Sequence, residues 1–426
     1  MGHIYKKLGD KIDGLSVRAP WDETFHKILA ELYSPEEAEV VVKMPYAMAN
    51  LCRIGRVTGI PEARLRNTLE GLADKGLVLD LFIGGEYVYM PSPMVIGIFE
   101  FTMMRAGGVD HKKLAGLFRE YMFGDFGRTN FAEGRIAMMR ALPYESVIKD
   151  EPHVEVLDYE RARSIIEGSR KFSIGTCSCR HEKLHAGEKT CDVPLDTCSS
   201  FGFAADYLIR HGLAKEVSKT EAFENLARSK ELGLVLNADN VRNGVAYICH
   251  CCGCCCIVLL GVSRHGYGNI VVTSGFVPDI EPAVCKGCGQ CAKACPVGAM
   301  KMHPAGNPQK PRKMRPAPDA SVCLGCGVCG LNCKTGALKL VRGEKKPILP
   351  EDTFERVILQ CLEKGTLQNM MFDDPGRITH RLLRGFVGGF LTLPPVKRAL
   401  TGDMLRSRFL EGVKAGAARQ GGLPEL

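Results

Sequence analysis

The chain has 426 residues, a formal net charge of +8 and 20 cysteines, and 45% of its residues are hydrophobic. This length exceeds what a single hydrophobic core usually holds, so two or three domains are expected. The N-terminal residues lack the apolar segment of a secretory signal and no stretch is apolar enough to span a bilayer, which predicts a cytoplasmic protein and argues against a secreted or integral membrane protein.

Two amphipathic helices are predicted near the start of the chain, over residues 22–32 and 34–43. The second has a full helix-start signal. Ser34 is in the N-cap position, Pro35 is the first helical residue, and Glu37 closes a capping box.

A helix–turn–helix pattern and a hairpin follow these helices. Residues 51–57 and 62–74 are the predicted helices, and the glycine pair at 84–85 joins two short strands. Together these elements resemble a winged-helix domain, to which residues 1–95 are assigned. Acidic residues balance the basic ones on the second helix, whereas a helix that reads DNA concentrates positive charge. DNA is therefore not the expected partner.

The next two segments are predicted to be a helical connector, residues 96–152, and a cysteine-rich α/β middle domain, residues 153–275. In the middle domain a short strand from Val154, a helix capped by Asp158 and a strand entering the first cysteine tract predict a βαβ-like arrangement. A further helix over residues 219–232 is expected to start at a Thr220 cap.

An internal repeat is the most specific pattern in the sequence. The segment VCKGCGQCAKACPVGAM from Val284 recurs as VCLGCGVCGLNCKTGAL from Val322, and both copies have C-x2-C-x2-C-x3-C spacing. With this spacing three thiolates bind one iron–sulfur cube and the fourth points to the other cube, so ligation should cross between the copies. The expected sets are Cys285, Cys288, Cys291 and Cys333 for one [4Fe–4S] cluster, and Cys323, Cys326, Cys329 and Cys295 for the second.

The repeat resembles the bacterial two-cluster ferredoxin family, and residues 276–348 are the expected ferredoxin-like domain. Pro296 after the fourth cysteine matches the family, but Lys334 stands where proline is usual in the second copy. The resemblance implies two [4Fe–4S] clusters and transfer of single electrons to a redox partner protein. Zinc is a poor alternative because zinc sites favour paired CxxC units over this triplet spacing.

Ten further cysteines form two tracts in the middle domain. The first offers Cys177, Cys179, Cys191 and Cys198, and the second offers Cys249, Cys251, Cys252, Cys254, Cys255 and Cys256. Four thiols suit an iron–sulfur cluster or structural zinc, and a site without metal is the third interpretation. Six thiols within eight residues exceed what one cluster uses, so the second tract predicts two centres, or one centre with a free thiol pair, with ligand sharing between the tracts left open.

Four other side chains near these tracts are weighed as site residues. His181, His185 and His250 are weak ligand candidates, because a lone histidine is usually a surface or core residue. Arg180 directly follows the CxC unit, and it is expected either beside an anionic cluster or in a surface ion pair.

The order of the tracts resembles proteins described as 4Fe–4S dicluster proteins, in which a CxCR…C…C segment and a CCxCC segment precede a ferredoxin module. This resemblance implies an iron–sulfur redox protein without naming a reaction, so catalytic residues are not assigned. The sequence contains no dinucleotide-binding, ATP-binding or radical-SAM motif. Flavin sites often have no short motif, so flavin binding stays open.

Residues 349–426 are predicted to be a helical C-terminal extension. Basic and apolar residues alternate on either side of Pro394 and Pro395, which fits two short amphipathic helices lying on a membrane or on a partner subunit. Packing onto the ferredoxin-like domain is the alternative.

Taken together, these patterns predict an α+β multidomain protein that passes single electrons between two [4Fe–4S] clusters, a middle-domain metal site and a partner oxidoreductase. Two other functions stay open. One is a redox-responsive regulator that binds DNA through the winged helix, and the other is a reductase that acts at the cysteine-dense middle site.

Overall fold

The computed structural model describes residues 2–150, 156–306, 313–345, 347–401 and 403–419. Within these ranges the helices are α1 (Gly2–Asp13), α2 (Glu23–Leu32), α3 (Pro35–Lys43), α4 (Leu51–Thr58), α5 (Glu62–Asp74), α6 (Phe99–Met104), α7 (His111–Phe123), α8 (Asp125–Phe131), α9 (Ala162–Gly168), α10 (Ser178–His185), α11 (Gly202–Arg210), α12 (Lys219–Glu231), α13 (Ile257–His265), α14 (Gln290–Ala294), α15 (Val328–Leu331), α16 (Thr353–Lys364), α17 (Leu367–Met371), α18 (Ile378–Leu391), α19 (Pro394–Thr401) and α20 (Asp403–Arg419). The strands are β1 (Ala49–Asn50), β2 (Val78–Ile83), β3 (Glu86–Pro91), β4 (Met139–Leu142), β5 (Phe172–Thr176), β6 (Asp196–Phe201), β7 (Ala214–Glu216), β8 (Val235–Asp239), β9 (Tyr247–Cys251), β10 (Val271–Val272), β11 (Phe276–Ile280), β12 (Met300–Pro304), β13 (Met314–Pro318) and β14 (Leu338–Arg342).

The chain divides into two compact units. Unit 1 combines the described residues of 1–130, 207–214 and 351–426, and unit 2 combines those of 131–206 and 215–350. The mixture of helices and strands agrees with the predicted α+β class. The predicted N-terminal domain and the C-terminal extension both fall in unit 1, whereas the ferredoxin-like segment falls in unit 2. The division into five domains stays a prediction.

The helix-start signal at Ser34 is confirmed. The Glu37 amide donates to the Ser34 hydroxyl at 3.2 Å, and the Ser34 amide donates to the Glu37 carboxylate at 2.9 Å. Pro35 begins α3 without the loss of a hydrogen bond, because the first amide of a helix has no partner within the helix.

The predicted hairpin is also confirmed. Strands β2 and β3 pair in antiparallel register from Ile83 opposite Glu86 to Val78 opposite Pro91, and β1 adds a third strand beside β3. Gly84 and Gly85 both have positive φ angles, which the tight turn requires. The resemblance to a winged helix stays a prediction.

Unit 1 contains a nearly buried histidine between two carboxylates. His211 Nδ1 lies 2.7 Å from an Asp74 oxygen and His211 Nε2 lies 2.8 Å from an Asp80 oxygen, while Arg210 also bonds Asp80 at 3.0 Å. Burial alone would lower the pKa of His211, but the hydrogen bonds to Asp80 and Asp74 outweigh it, so the pKa is raised. The charged imidazolium therefore stabilises the folded state.

Unit 2 is built on a seven-stranded sheet with the strand order β10-β4-β8-β9-β6-β5-β7. The neighbouring pairs from β4 through β8, β9 and β6 to β5 are antiparallel, and β10 runs parallel to β4. The second strand of the predicted βαβ-like arrangement is β5, which pairs antiparallel with β6 and lies between β6 and β7, and the arrangement itself stays a prediction. The strand predicted from Val154 begins outside the described residues.

Two predicted helix starts in unit 2 are displaced. Asp158 begins a short 3-10 turn, and α9 starts later, at Ala162. Helix α12 is capped by Ser218, whose hydroxyl accepts from the Glu221 amide in a capping box, while Thr220 lies inside the helix. The sequence pattern Ser-x-x-Glu from Ser218 to Glu221 predicts a capping box, and it indicates the start of a helix more strongly than a single threonine does.

The sheet gathers the cysteine tracts at one end. Strand β5 ends immediately before Cys177, β9 ends at Cys251, and Cys198 lies near the start of β6. Because β6 runs antiparallel to both neighbours, its start lies at the same end of the sheet as the ends of β5 and β9.

The repeat region folds as two antiparallel strand pairs with short helices. Strand β11 pairs with β14, from Phe276 opposite Arg342, and β12 pairs with β13, from Met300 opposite Pro318. Helices α14 and α15 lie at matching positions of the two copies of the repeat.

The C-terminal helices α16 to α20 contribute a small apolar core to unit 1, which includes Ile358, Cys361, Leu362 and Leu391. None of the helices in the described ranges has the length and apolar character needed to cross a bilayer.

Candidate metal centres

The second predicted cluster set surrounds one cavity. Cys295, Cys323, Cys326 and Cys329 all line it, together with apolar neighbours such as Leu324. Burial raises the pKa of the Cys326 thiol to about 12. Thiols from both copies of the repeat thus face a shared apolar space, which is the neighbourhood that crossed ligation requires.

The first predicted set shows the same crossing of the copies. Cys291 interacts electrostatically with Cys288 of its own copy and with Cys333 of the other. Cys291 also packs in a core cluster beside Cys333. Cys285 is half-buried and lies before α14. The assignment of each ligand to a cluster stays a prediction.

Matching glycines hold the two cysteine loops in place. Gly287 and Gly325 have φ angles of +70° and +65°, and a Cβ atom would stand 2.2 Å from the Met314 carbonyl oxygen and 2.3 Å from that of Phe276. A side chain at either position would meet both backbone strain and a rigid backbone atom. Each loop therefore crosses a neighbouring strand so closely that only glycine fits.

In the middle domain four thiols come together as a compact set, here called the outer cysteine group: Cys191, Cys252, Cys254 and Cys255. Their sulfur atoms all lie within 4.8 Å of one another, and the contact pairs measure 3.7 to 3.9 Å. Four thiolates bound at about 2.3 Å to one tetrahedral ion stand about 3.8 Å apart. The outer cysteine group therefore has the spacing of a single-ion site, whereas a cube spreads its four thiolates over four iron atoms.

Four other thiols form a second network, here called the inner cysteine group: Cys177, Cys179, Cys251 and Cys256. Electrostatic interactions link Cys177 to Cys179, Cys179 to Cys256 and Cys256 to Cys251. The Cys251 thiol also interacts electrostatically with Cys177. Hydrogen bonds from Cys249 and Cys256 lower the pKa of Cys251 to about 6.

The last two thiols of the middle domain, Cys198 and Cys249, lie on neighbouring strands and interact electrostatically. They are called the strand cysteine pair below. The four thiols of the first tract therefore do not form one set in the described structure, because Cys191 joins the second tract. The sequence left ligand sharing between the tracts open, and which thiols regroup depends on strand register.

Arg180 lies buried between the two cysteine groups, with 1% of its surface exposed. Its guanidinium donates to the Thr197 hydroxyl and to the carbonyl oxygens of Pro194 and His250. Burial lowers the pKa of Arg180, but the nearby thiols of Cys177 and Cys252 raise it further than burial lowers it. The surface ion pair considered from the sequence is wrong, and a buried cation of this kind calls for negative charge close by.

The three histidines have partners outside the cysteine groups. His250 is buried, and burial together with Arg180 lowers its pKa to about 3. Its Nε2 lies 3.0 Å from the Ser199 hydroxyl, on the face of β9 opposite to Cys249 and Cys251. His181 and His185 lie within hydrogen-bonding distance of each other, with 2.8 Å between their Nε2 atoms.

The middle cysteines and the repeat touch within unit 2. A Cβ atom on Gly253, between Cys252 and Cys254, would stand 2.6 Å from the carbonyl oxygen of Pro296, the residue after Cys295. The outer cysteine group therefore lies against the loop that carries a predicted ligand of the second cluster.

Tyr144 forms a second bridge between these sites. Its amide donates to the Cys326 carbonyl at 3.2 Å, and its hydroxyl donates to the Leu234 carbonyl at 2.6 Å. Leu234 packs against Cys252 and Cys255 of the outer cysteine group. One buried residue thus connects the predicted second cluster set, through its backbone, with the outer cysteine group, through its side chain.

Comparison with known proteins identifies one segment of the chain. A family model described as "4Fe-4S dicluster domain" matches residues 284–337, which contain all eight cysteines of the repeat. No curated protein and no solved structure matches the chain. The chain therefore contains a 4Fe–4S-binding segment, and the cavity lined by Cys295, Cys323, Cys326 and Cys329 fits such a cofactor.

Proposed function

We propose that the protein transfers single electrons through two [4Fe–4S] clusters held by the repeat, and exchanges them with the middle-domain thiol site and a partner oxidoreductase. The observation that carries this proposal is the cavity where Cys295 of the first copy meets Cys323, Cys326 and Cys329 of the second. An iron–sulfur cluster in such a site accepts and donates one electron, and the surrounding protein fixes its distance and potential.

The contacts at Gly253 and Tyr144 support electron exchange with the middle domain. Both place the outer cysteine group directly beside the second cluster set, so an electron would cross only a short stretch of packed protein. The spacing of the outer cysteine group favours one tetrahedral ion. Iron in that position would carry an electron, whereas zinc would only hold the loop.

Arg180 supports an anionic occupant of the middle domain. A buried guanidinium is costly without compensation, and thiolates bound to metal would provide the negative charge. Arg180 would then hold the two cysteine groups together and raise the reduction potential of a centre beside it.

The crossed ligation is tested by replacing Cys295 with alanine. Because Cys295 is separated in sequence from the other three thiols of its set, its loss should remove one cluster and reduce iron from about eight to about four atoms per chain. Cys52→Ala, which alters an exposed isolated cysteine, is the matched control and should keep all the iron. Cys295→Ala combined with Cys323→Ala should lose no more iron than Cys295→Ala alone, because crossed ligation puts both thiols on one cluster; loss of about eight irons in the double variant would contradict the crossed assignment.

The contacts of α5 argue against the alternative function, a redox-responsive regulator that binds DNA through the winged helix. Arg66 bonds Glu62 at 2.8 Å, and Lys75 at the end of the helix bonds Glu37 at 2.6 Å. Cations engaged in this way add little to phosphate binding. Salt-dependent binding to duplex DNA would restore the regulator hypothesis.

We also propose that α18 docks on an anionic lipid surface. Ile378, Leu382, Phe386 and Phe390 are spaced four residues apart and are exposed along one side of the helix, with Phe386 80% exposed. The opposite side packs inside unit 1 through Gly388 and Leu391. Such a stripe is typical of a helix that lies in a membrane interface.

The charges around α18 favour a lipid surface over a second protein chain. Residues 375–402 contain no acidic residue but five basic ones: Arg377, Arg381, Arg384, Lys397 and Arg398. Each basic residue near an anionic membrane contributes about 1 kcal/mol.

A further inference from the structure

The strand cysteine pair has the backbone geometry that a disulfide needs. Strands β6 and β9 are antiparallel, with Ser199 opposite Ile248 and Ser200 opposite Tyr247, so Cys198 lies opposite Cys249 in the same register. The Phe201 amide donates to the directly opposite Ala246 carbonyl at 2.8 Å, which marks Phe201 and Ala246 as a hydrogen-bonded pair.

Hydrogen-bonded and non-hydrogen-bonded pairs alternate along an antiparallel ladder. Cys198 lies three positions before Phe201 on β6, so Cys198 and Cys249 form a non-hydrogen-bonded pair. In such pairs the side chains approach each other most closely. Such pairs have Cα atoms about 4.5 Å apart, within the roughly 4.4–6.8 Å that a disulfide spans. The two thiols also interact electrostatically, as expected for side chains on the same face of neighbouring strands.

The surroundings distinguish this pair from the other thiols. Cys198 and Cys249 lie outside the compact outer cysteine group, and Cys249 also interacts with Cys251 of the inner group. Cys198 and Cys249 are both half-buried. On the far side of Cys198, β5 presents Gly175 in register, a residue with no side chain to cover the thiol.

A buried amide next to the pair has unused hydrogen-bonding capacity. Asn237 lies opposite Cys249 on β8 and has no exposed surface. Neither amide atom of its side chain has an oxygen or nitrogen partner among the described residues, and its polar neighbour is the Cys251 thiol. Buried hydrogen-bonding capacity that one thiol does not fill is costly, so this position suits a polar group beside the pair.

We propose that Cys198 and Cys249 are a redox-active dithiol that reduces disulfide substrates with electrons from the iron–sulfur centres. This inference rests on the proposed electron-transfer function. In the dithiol form, one thiolate attacks a substrate disulfide, forms a mixed disulfide and releases one substrate thiolate. The second cysteine then attacks the mixed disulfide, releases the other substrate thiolate and closes the Cys198–Cys249 disulfide.

Regeneration of the dithiol takes two electrons and two protons. An iron–sulfur donor gives one electron at a time, so two deliveries restore both thiols. Cys251 of the inner cysteine group lies two positions from Cys249 on the same face of β9, so electrons held by that group would reach the pair over a short distance.

The test uses the full-length protein purified without oxygen. It is poised in glutathione buffers of increasing oxidation, quenched in acid, alkylated and digested, and the peptides are identified by mass spectrometry. We expect a peptide linked through Cys198 and Cys249 that appears as a two-electron transition and disappears on dithionite reduction. Absence of the linked peptide at every potential would overturn the inference.

Two variants and a control make the result specific. Cys249→Ala should trap glutathione on Cys198 as a mixed disulfide, and Cys198→Ala should abolish the linked peptide, both with unchanged iron. Ser200→Ala, on the same strand and face, should retain the linked peptide. A loss of iron in Cys198→Ala would show that the thiol is a metal ligand and would also overturn the inference.

Iron content and EPR signals are recorded on the same samples. Intact cluster signals without a linked peptide would refute only the dithiol. Missing cluster signals would refute the proposed electron-transfer function.

Discussion

Replacing Gly253 by alanine should push the outer cysteine group away from the ferredoxin-like repeat. The new Cβ atom would stand 2.6 Å from the Pro296 carbonyl oxygen and 3.1 Å from its Cα, whereas ordinary contact begins at 3.4 Å. Since both contacted atoms are backbone, the loop itself must move by about 0.8 Å. Gly253 has no left-handed φ, so the effect is steric and not conformational.

Overpacking of this kind costs about 1–3 kcal/mol. We expect Gly253→Ala to melt earlier than the wild type under anaerobic conditions and to lose metal from the outer cysteine group, while the iron of the repeat is retained. The assay is thermal unfolding by circular dichroism combined with iron and zinc analysis. Gly268→Ala is the matched control, because a Cβ there meets nothing within 4 Å. Equal melting and equal metal content in the two variants would refute the contact between the two sites.

Three further predictions test other parts of the molecule. Gly325→Ala should remove about four irons through its clash, whereas Gly336→Ala, with φ +70° and no neighbour within 4 Å, should keep them and cost about 1 kcal/mol. Because the pKa of His211 is raised in the folded protein, protonated His211 stabilises unit 1 fully at pH values below the pKa of histidine in the unfolded chain, and this stabilisation is lost as pH rises through the folded pKa. Urea unfolding at a series of pH values should show this loss. The variant His211→Gln should lack this pH dependence. Phe386→Gln should weaken sedimentation with anionic vesicles about tenfold, Phe82→Gln should not, and binding only to a second copy of the chain, seen by light scattering, would refute the lipid surface.

Features set by local sequence were predictable. The capping box at Ser34 needs only residues three apart, and the Gly84–Gly85 turn needs only a glycine pair between short strands. The repeat was predictable because its cysteine spacing is fixed by the geometry of a cube.

The grouping of the middle cysteines was not predictable, because it depends on the order and register of distant strands. Cys191 lies close to Cys252 although the two are 61 positions apart in sequence, and Cys249 lies beside Cys198 only because β6 and β9 are neighbours. The burial of Arg180 was equally hidden, since it arises from packing between tracts that are far apart in the chain. The number of thiols is known from the sequence, whereas the order and register of the strands determine which thiols lie close together.

Electron transfer through the repeat is tested most directly by iron and sulfide analysis of anaerobically purified protein, with quantitative EPR after dithionite reduction. The cavity and the crossed cysteines predict at least about eight irons and eight sulfides per chain, with two interacting [4Fe–4S] signals. About two irons or fewer, with no EPR signal from reduced clusters, would contradict the proposed function.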